Sequence, residues 1–150
     1  MQTVRSRPAS FAITIILAFT ALVYAQGAQT FKGRLSPMPV DATNQAGTTG
    51  LGTATAVLTG TKLAISGTFS GLQTPATIAQ VHVGPKGISG PPVLDLTVTK
   101  ATSGTVQGEL MLTSAQVDHL KRGRLYIQIH SEKAPEGNLW GWLLPQEVKR

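Results

Sequence analysis

Cysteine is absent from this 150-residue chain, and its absence excludes several chemistries. A thiol nucleophile, a cysteine-ligated zinc site, a thioether-linked haem and a lipid anchor of the bacterial lipoprotein kind all require that residue. No disulfide can brace the fold, so an apolar core and strand pairing must stabilise it. At this length the chain has room for a single domain that needs no such crosslink.

Charged residues are also scarce, at 13% of the chain, and the net charge is +6. The bases are scattered, except for one cluster at Lys121, Arg122 and Arg124. A nucleic-acid groove is typically marked by a continuous basic stripe. The sequence therefore argues against a nucleic-acid partner.

The N-terminal segment has the three regions of a cleavable export signal. Arg5 and Arg7 precede an apolar run of about 13 residues, and small residues lead up to Ala25. The alternative is an uncleaved membrane anchor, but a spanning helix needs about 20 apolar residues. We predict a signal peptide over residues 1–25, cleaved between Ala25 and Gln26. A secreted or periplasmic protein with no stable membrane insertion after cleavage would follow.

After the predicted cleavage position, stretches rich in Val, Ile, Thr and Leu alternate with Gly and Pro clusters. This spacing is typical of antiparallel all-β domains. We predict one domain over residues 26–150, an all-β, antiparallel, Greek-key-like β-sandwich. Its eight or so strands are predicted at residues 30–35, 52–58, 62–69, 77–83, 93–99, 105–112, 124–130 and 138–144.

Two of these strands carry apolar residues at every second position, which predicts burial on one face only. The inward residues would be Leu63, Ile65 and Phe69 in one strand, and Leu125, Ile127 and Ile129 in the other. Two loops, residues 36–50 and 84–92, are rich in small and turn-forming residues. Loops of such length are often functional, but they can also simply cross between sheets.

One short helix is predicted over residues 114–121, before the penultimate strand. Thr113 and Gln116 have the spacing of a capping box, and Gly123 can end the helix in a left-handed conformation. Val117 and Leu120 would pack the helix against the sheet. The neighbouring bases are then expected at its solvated C-terminal end.

A short pattern, Gln-x-His, occurs twice in predicted strands, at Gln80 and His82 and again at Gln128 and His130. Period-two alternation places Gln and His on one face of each strand. If the strands are neighbours, these side chains form a polar patch. Two imidazoles can bind a metal, although a stable site usually has three or four ligands.

The alternative for this patch is that each imidazole only satisfies a neighbouring backbone or hydroxyl group. His119, on the predicted helix, is expected at the surface and is not counted as a third ligand. Acid–base catalysis by a histidine would need a carboxylate in reach. Nothing in the spacing selects one from Asp95, Glu109, Glu132 and Glu136.

Trp140 and Trp142 alternate with apolar residues on the last predicted strand and must share a face. If Leu139 and Leu143 point into the core, the two indoles project outward. An exposed indole pair would be a platform for a sugar ring, a peptide or a protein. If the indole face is the inner one, the two side chains are core residues. We expect exposure.

Three segments carry a resemblance to a known family: FKGRLS at residues 31–36, AQVHVGP at 79–85, and GRLYIQIHS at 123–131 leading to PEGNLWG at 135–141. They resemble the CHRD (chordin-type) domain. The resemblance implies an extracytoplasmic β-sandwich without established enzymatic activity, and a binding or structural role. The family commonly has histidine at the position of Gln80, and a polar run where this chain has Trp140 and Trp142.

We therefore predict a non-catalytic binding module, not an enzyme, that uses no cofactor. Its partner would be an extracellular or envelope protein or glycan, contacted through Trp140 and Trp142. The alternative is a copper- or zinc-binding protein resembling superoxide dismutase, with His82 and His130 as ligands. A third possibility, a purely structural envelope domain, differs from the first only in having no ligand.

Overall fold

The computed structural model describes residues 27–147, so the predicted signal segment and its cleavage position, Ala25 and Gln26, lie outside the described residues. In chain order, strands β1 to β9 are Gln29–Pro37, Leu51–Thr59, Lys62–Ser70, Ala76–Val83, Pro92–Val98, Gly104–Met111, Leu125–Ser131, Ala134–Trp142 and Leu144–Pro145. Helix α1, Ser114–Lys121, has the predicted bounds and precedes β7. All eight predicted strands are present, and the two-residue β9 was not predicted.

The strands form a closed, eight-stranded antiparallel barrel, so the predicted sandwich is wrong. Their order around the wall is β2-β3-β6-β5-β4-β7-β8-β1, and β1 pairs again with β2, while β9 flanks β1. The all-β class, the antiparallel pairing and the single short helix are confirmed.

Two strands close the barrel because each pairs with different neighbours along its length. In β1, Gln29 to Leu35 pair with β2, whereas Ser36 and Pro37 pair with β8. In β5, the first half pairs with β4 and Thr97 and Val98 pair with β6. Apolar alternation is the same in a barrel wall and in a sandwich layer, since each buries one face. Only these edge pairings distinguish the two folds.

The barrel interior is a single apolar core to which the wall strands contribute every second residue. The predicted inward faces of β3 and β7 are confirmed by their buried side chains, Leu63, Ile65, Phe69, Leu125, Ile127 and Ile129. Helix α1 adds the fully buried Leu120 to the same core. This continuous apolar interior takes the place of disulfides in stabilising the chain.

The predicted capping box of α1 is present. The main-chain N–H of Gln116 donates to Thr113 Oγ1 at 3.2 Å, and the main-chain N–H of Thr113 donates to Gln116 Oε1 at 2.9 Å. Gly123 has a φ of +66° just past the helix, as predicted for its end. Lys121, Arg122 and Arg124 are exposed there.

Strand β7 departs from one-sided burial, since all seven of its residues are buried. The reason is that the two long loops fold over the outside of the barrel at this strand. The loop after β4 contacts Tyr126 through Gly90, and the loop after β1 places Met38 against a group of outward aromatic rings. Within residues 27–147, no helix is long and apolar enough to cross a membrane.

Truncating a core leucine should destabilise the barrel far more than the same change on its surface. Leu63 is fully buried in β3, whereas Leu51, on the neighbouring β2, is 62% exposed. We expect Leu63→Ala to lower the free energy of unfolding by about 2–5 kcal/mol and Leu51→Ala by less than about 0.5 kcal/mol. Guanidinium unfolding of both variants measures the difference, and equal losses would contradict the assigned core.

Candidate functional site

The outer side of three adjacent strands carries a set of side chains that we call the outer-face cluster. β4, β7 and β8 are neighbours in the barrel wall. Because their alternate residues fill the core, the remaining ones face outward. The cluster consists of His82 from β4, Tyr126, Gln128 and His130 from β7, and Trp140 and Trp142 from β8.

The strands that carry the two Gln-x-His pairs are neighbours, which was the condition for the predicted polar patch. β4 and β7 pair directly, with Gln80 opposite Gln128 and His82 opposite Tyr126. The centroids of the His82 and His130 rings lie 6.2 Å apart, at an interplanar angle of 30°. The His82 ring also stacks on Tyr126 at 5.1 Å. The sequence pattern thus brings both imidazoles to one place.

Each imidazole is oriented by a hydrogen bond to a main-chain carbonyl. His82 Nδ1 lies 2.8 Å from the Gly90 oxygen, and His130 Nδ1 lies 2.7 Å from the Pro135 oxygen. A carbonyl oxygen only accepts, so in each neutral ring Nδ1 carries the proton and Nε2 carries the lone pair. Carbonyl contacts of this kind also orient the histidine ligands of metal sites.

The two Nε2 atoms differ in their partners. Gln128 Nε2 lies 3.3 Å from His130 Nε2 and donates to the Glu136 carbonyl at 3.0 Å, so the amide can serve both acceptors. His82 Nε2 is buried and has no hydrogen-bond partner within the described residues. A buried polar atom without a partner costs free energy, about 1–3 kcal/mol. His82 Nε2 is therefore a candidate ligand atom.

Burial lowers the pKa of His82 by disfavouring its charged form. The hydrogen bond to the Gly90 carbonyl acts in the opposite direction, and repulsion from His130 adds a smaller lowering. Only 6% of the His82 residue surface is exposed. The lowered pKa favours the neutral His82 ring, which is the form that can offer Nε2 to a ligand.

Among residues 27–147, none of the four carboxylates considered from the sequence is hydrogen-bonded to His82 or His130. Asp95 accepts a hydrogen bond from Gln80 Nε2 at 2.9 Å, so Gln80 joins Asp95 rather than the imidazoles. Glu109 pairs with Lys62 at 3.2 Å on an exposed surface, and Glu132 and Glu136 are exposed. In the described part of the chain, no three His, Cys, Asp or Glu side chains are grouped to hold a metal.

Trp140 and Trp142 lie on the outer face, because Leu139 and Leu143 enter the core. Their predicted exposure is nevertheless wrong, since only 9% and 8% of their surfaces remain accessible. Alternation specifies a face of the strand but not what covers it. Tyr126 and Met38 pack against the two indoles.

The aromatic rings of the cluster contact one another in series. Trp140 meets Trp142 at a centroid distance of 4.7 Å, and Tyr126 meets Trp142 at 4.5 Å. The Trp142 indole N–H donates to the Gly84 carbonyl at 2.9 Å, which holds the loop after β4 against the wall. The two indoles therefore act mainly in packing, and only their edges remain accessible.

Those edges line a shallow groove of about 280 Å³. Arg34, from β1, and Lys86, from the loop after β4, line the same groove and are exposed. Lys62 and Glu109 form the one ion pair within residues 27–147, so neither groove base is neutralised by a carboxylate there. The groove thus combines aromatic edges with positive charge.

Sequence reasoning missed several residues that build this region. Tyr126 precedes Gln128 by two positions and shares its face, so the period-two rule could have identified it. Asn138 is fully buried and accepts from the Thr49 N–H at 3.1 Å while donating to Ser131 Oγ at 2.9 Å. No local signal pointed to Arg34 or Lys86, because their proximity depends on the loop after β4.

Removing the indole donor of Trp142 should loosen the loop after β4. Trp142→Phe leaves the buried Gly84 carbonyl without its donor, so we expect a loss of about 1–3 kcal/mol of stability beyond the effect of ring size. Trp140→Phe makes the same change of ring and is the matched control. Chemical unfolding gives both values, and hydrogen exchange at residues 84–91 reports the loop. Equal losses would show that the hydrogen bond contributes nothing.

Comparison with known protein families gives one match. The CHRD domain matches residues 31–143, a span that contains every residue of the outer-face cluster and both bases of the groove, Arg34 and Lys86. No curated protein and no solved structure shows a significant match to the chain.

Proposed function

The chain belongs to the CHRD domain family, and from this premise we propose that it is a non-catalytic binding module exported from the cytoplasm. The export signal predicted from the sequence over residues 1–25 supports a secreted or periplasmic location. A non-catalytic role is supported by the bonding of both histidines, whose Nδ1 atoms contact main-chain carbonyls instead of carboxylates.

The observation that carries the proposal is the groove beside Trp140 and Trp142. It brings two exposed bases, Arg34 and Lys86, next to accessible indole edges. Arginine and lysine recognise carboxylate and sulfate groups through charge-assisted hydrogen bonds, and indoles pack against the apolar faces of sugar rings. We therefore assign an acidic glycan of the cell surface or matrix as the partner.

The indoles contribute less to this surface than expected from the sequence, because most of each ring is buried. Their edges supply shape and apolar contact, while the bases supply attraction. Binding should therefore weaken as salt is added, since exposed charges are screened over about 10 Å at 0.1 M.

Reversing the charge of the groove should abolish most of this binding. We expect Arg34→Glu with Lys86→Glu to lower the affinity for uronic-acid or sulfated oligosaccharides at least ~10-fold, because each charge-assisted hydrogen bond contributes about 1.5–3 kcal/mol. Calorimetric titration of the purified protein against a panel of acidic and neutral oligosaccharides measures the effect.

The matched control is Lys100→Glu with Arg122→Glu, which changes the net charge equally at two exposed positions outside the groove. Equal weakening by both double variants would indicate non-specific attraction to a basic protein. Binding that neither double variant alters, or an unmodified protein that binds no acidic glycan, would refute the groove as the site.

A second candidate function is metal binding through His82 and His130. It is favoured by the buried Nε2 of His82, which has no hydrogen-bond partner in the described part of the chain. After incubation with copper or zinc and desalting, the untagged protein should retain about one ion per chain. His82→Asn with His130→Asn should remove it. Elemental analysis by mass spectrometry decides the matter, and a protein that retains no metal would leave both histidines as structural hydrogen-bonding groups.

A further inference from the structure

The imidazole rings of His82 and His130 lie near each other, and each has its Nδ1 engaged by a main-chain carbonyl. The carbonyl that accepts from His82 Nδ1 belongs to Gly90, in the loop beyond the end of β4. Nε2 lies across the ring from Nδ1 and so is directed back along the strands. His130 Nε2 is directed at Gln128. Gln128 lies between His130 and Tyr126 on β7, and Tyr126 is paired with His82. Each Nε2 atom therefore lies on the side of its ring away from the carbonyl that accepts from Nδ1.

The spacing of the rings suits a single ion between them. Metal–imidazole bonds are about 2 Å long, so an ion flanked by two Nε2 atoms places the ring centroids at roughly 6 Å. The observed separation is 6.2 Å. Binding would give His82 Nε2 the partner that it lacks among residues 27–147, and would replace only the long 3.3 Å contact between Gln128 and His130.

The number of ligands restricts the choice of ion. Structural zinc is almost always four-coordinate, and Cu(II) prefers a square arrangement of nitrogen and oxygen ligands. Within residues 27–147, no third His, Cys, Asp or Glu side chain joins the pair in a metal-holding group. Cu(I), with a filled d shell, is stable with only two nitrogen ligands, so a pair of imidazoles is enough to hold it.

The surroundings favour the same ion. His82 and His130 are only 6% and 8% exposed, and Tyr126 stacks on the His82 ring. The cost of burying an ion rises steeply with its charge unless a counter-charge is present. Asp95, one of the candidate carboxylates, is hydrogen-bonded to Gln80. A monovalent ion is therefore accommodated more readily than a divalent one.

From these observations we propose that the outer-face cluster is a Cu(I) site, in which His82 Nε2 and His130 Nε2 hold one ion between them. This inference rests on the second candidate function above, and it specifies the ion and its coordination. It is independent of the acidic-glycan groove.

The test is a competition titration of the untagged protein under anaerobic conditions. Cu(I) is supplied as its bicinchoninate complex, and Zn(II) and Cu(II) are titrated in parallel. We expect one Cu(I) per chain, bound more tightly than either divalent ion, with an X-ray absorption spectrum of two nitrogen ligands. His82→Asn or His130→Asn should each lower the Cu(I) affinity at least ~100-fold.

Asparagine is chosen because its amide N–H can replace the Nδ1 donor to Gly90 or Pro135 while Nε2 is lost. His119→Asn, at the third histidine of the chain, is the matched control and should bind Cu(I) normally. Near-ultraviolet circular dichroism, which reports the packing of Tyr126 and the two indoles, verifies that each variant is folded.

The outcomes separate the two proposals. Preference for Zn(II) or Cu(II), or a spectrum with three or more ligands, would overturn the Cu(I) assignment but support metal binding by the pair. A folded protein that binds none of the three ions would overturn both. Cu(I) binding that survives replacement of both histidines would also overturn both, since the ion would then lie elsewhere.

Discussion

Closure of the barrel at β1 is the constraint on which the rest of the structure depends. At this seam the β1 and β8 backbones approach closely. A Cβ atom added to Gly141 would lie 2.4 Å from the Arg34 carbonyl oxygen, and one added to Gly33 would lie 3.0 Å from that of Trp142. A side chain at position 141 would clash with the backbone and one at position 33 would be tight, so glycine suits both positions. The seam places β8 between β7 and β1, and so brings the indoles between Tyr126 on one side and Arg34 on the other.

The second organising feature is that part of the barrel exterior is buried. Outward side chains of β7 would normally face water, but the loops after β1 and β4 cover them and are held by hydrogen bonds to Asn138, Tyr126 and Trp142. This cover produces a polar, aromatic environment outside the main core. One nitrogen there, His82 Nε2, has no partner in the described residues. Local departures from good packing and full hydrogen bonding are typical of functional sites.

Much of the fold could be predicted because its signals are local. Stretches rich in Val, Ile, Thr and Leu between Gly and Pro clusters identified eight strands, and period-two alternation identified the inward faces of two of them. The Thr113–Gln116 box identified the start of the helix. The same alternation predicted that each Gln-x-His pair shares a face. It could not predict that Gln80 would bond to Asp95, nor that the indoles would be covered, because cross-strand neighbours and loop positions leave no periodic trace in the sequence. For the same reason the sequence predicted a sandwich where the structure is a closed barrel.

The sequence by itself determined the elements: the strands, the single capped helix, the residues that enter the core, and the absence of thiol chemistry. These follow from side-chain periodicity and capping, which act over a few residues. Tertiary structure alone decided the closure of the barrel, the meeting of His82 with His130, and the position of Arg34 beside the indoles. Those features depend on contacts between distant segments, as in the Trp142 to Gly84 hydrogen bond across 58 positions. Such contacts are selected by the free energy of the whole fold.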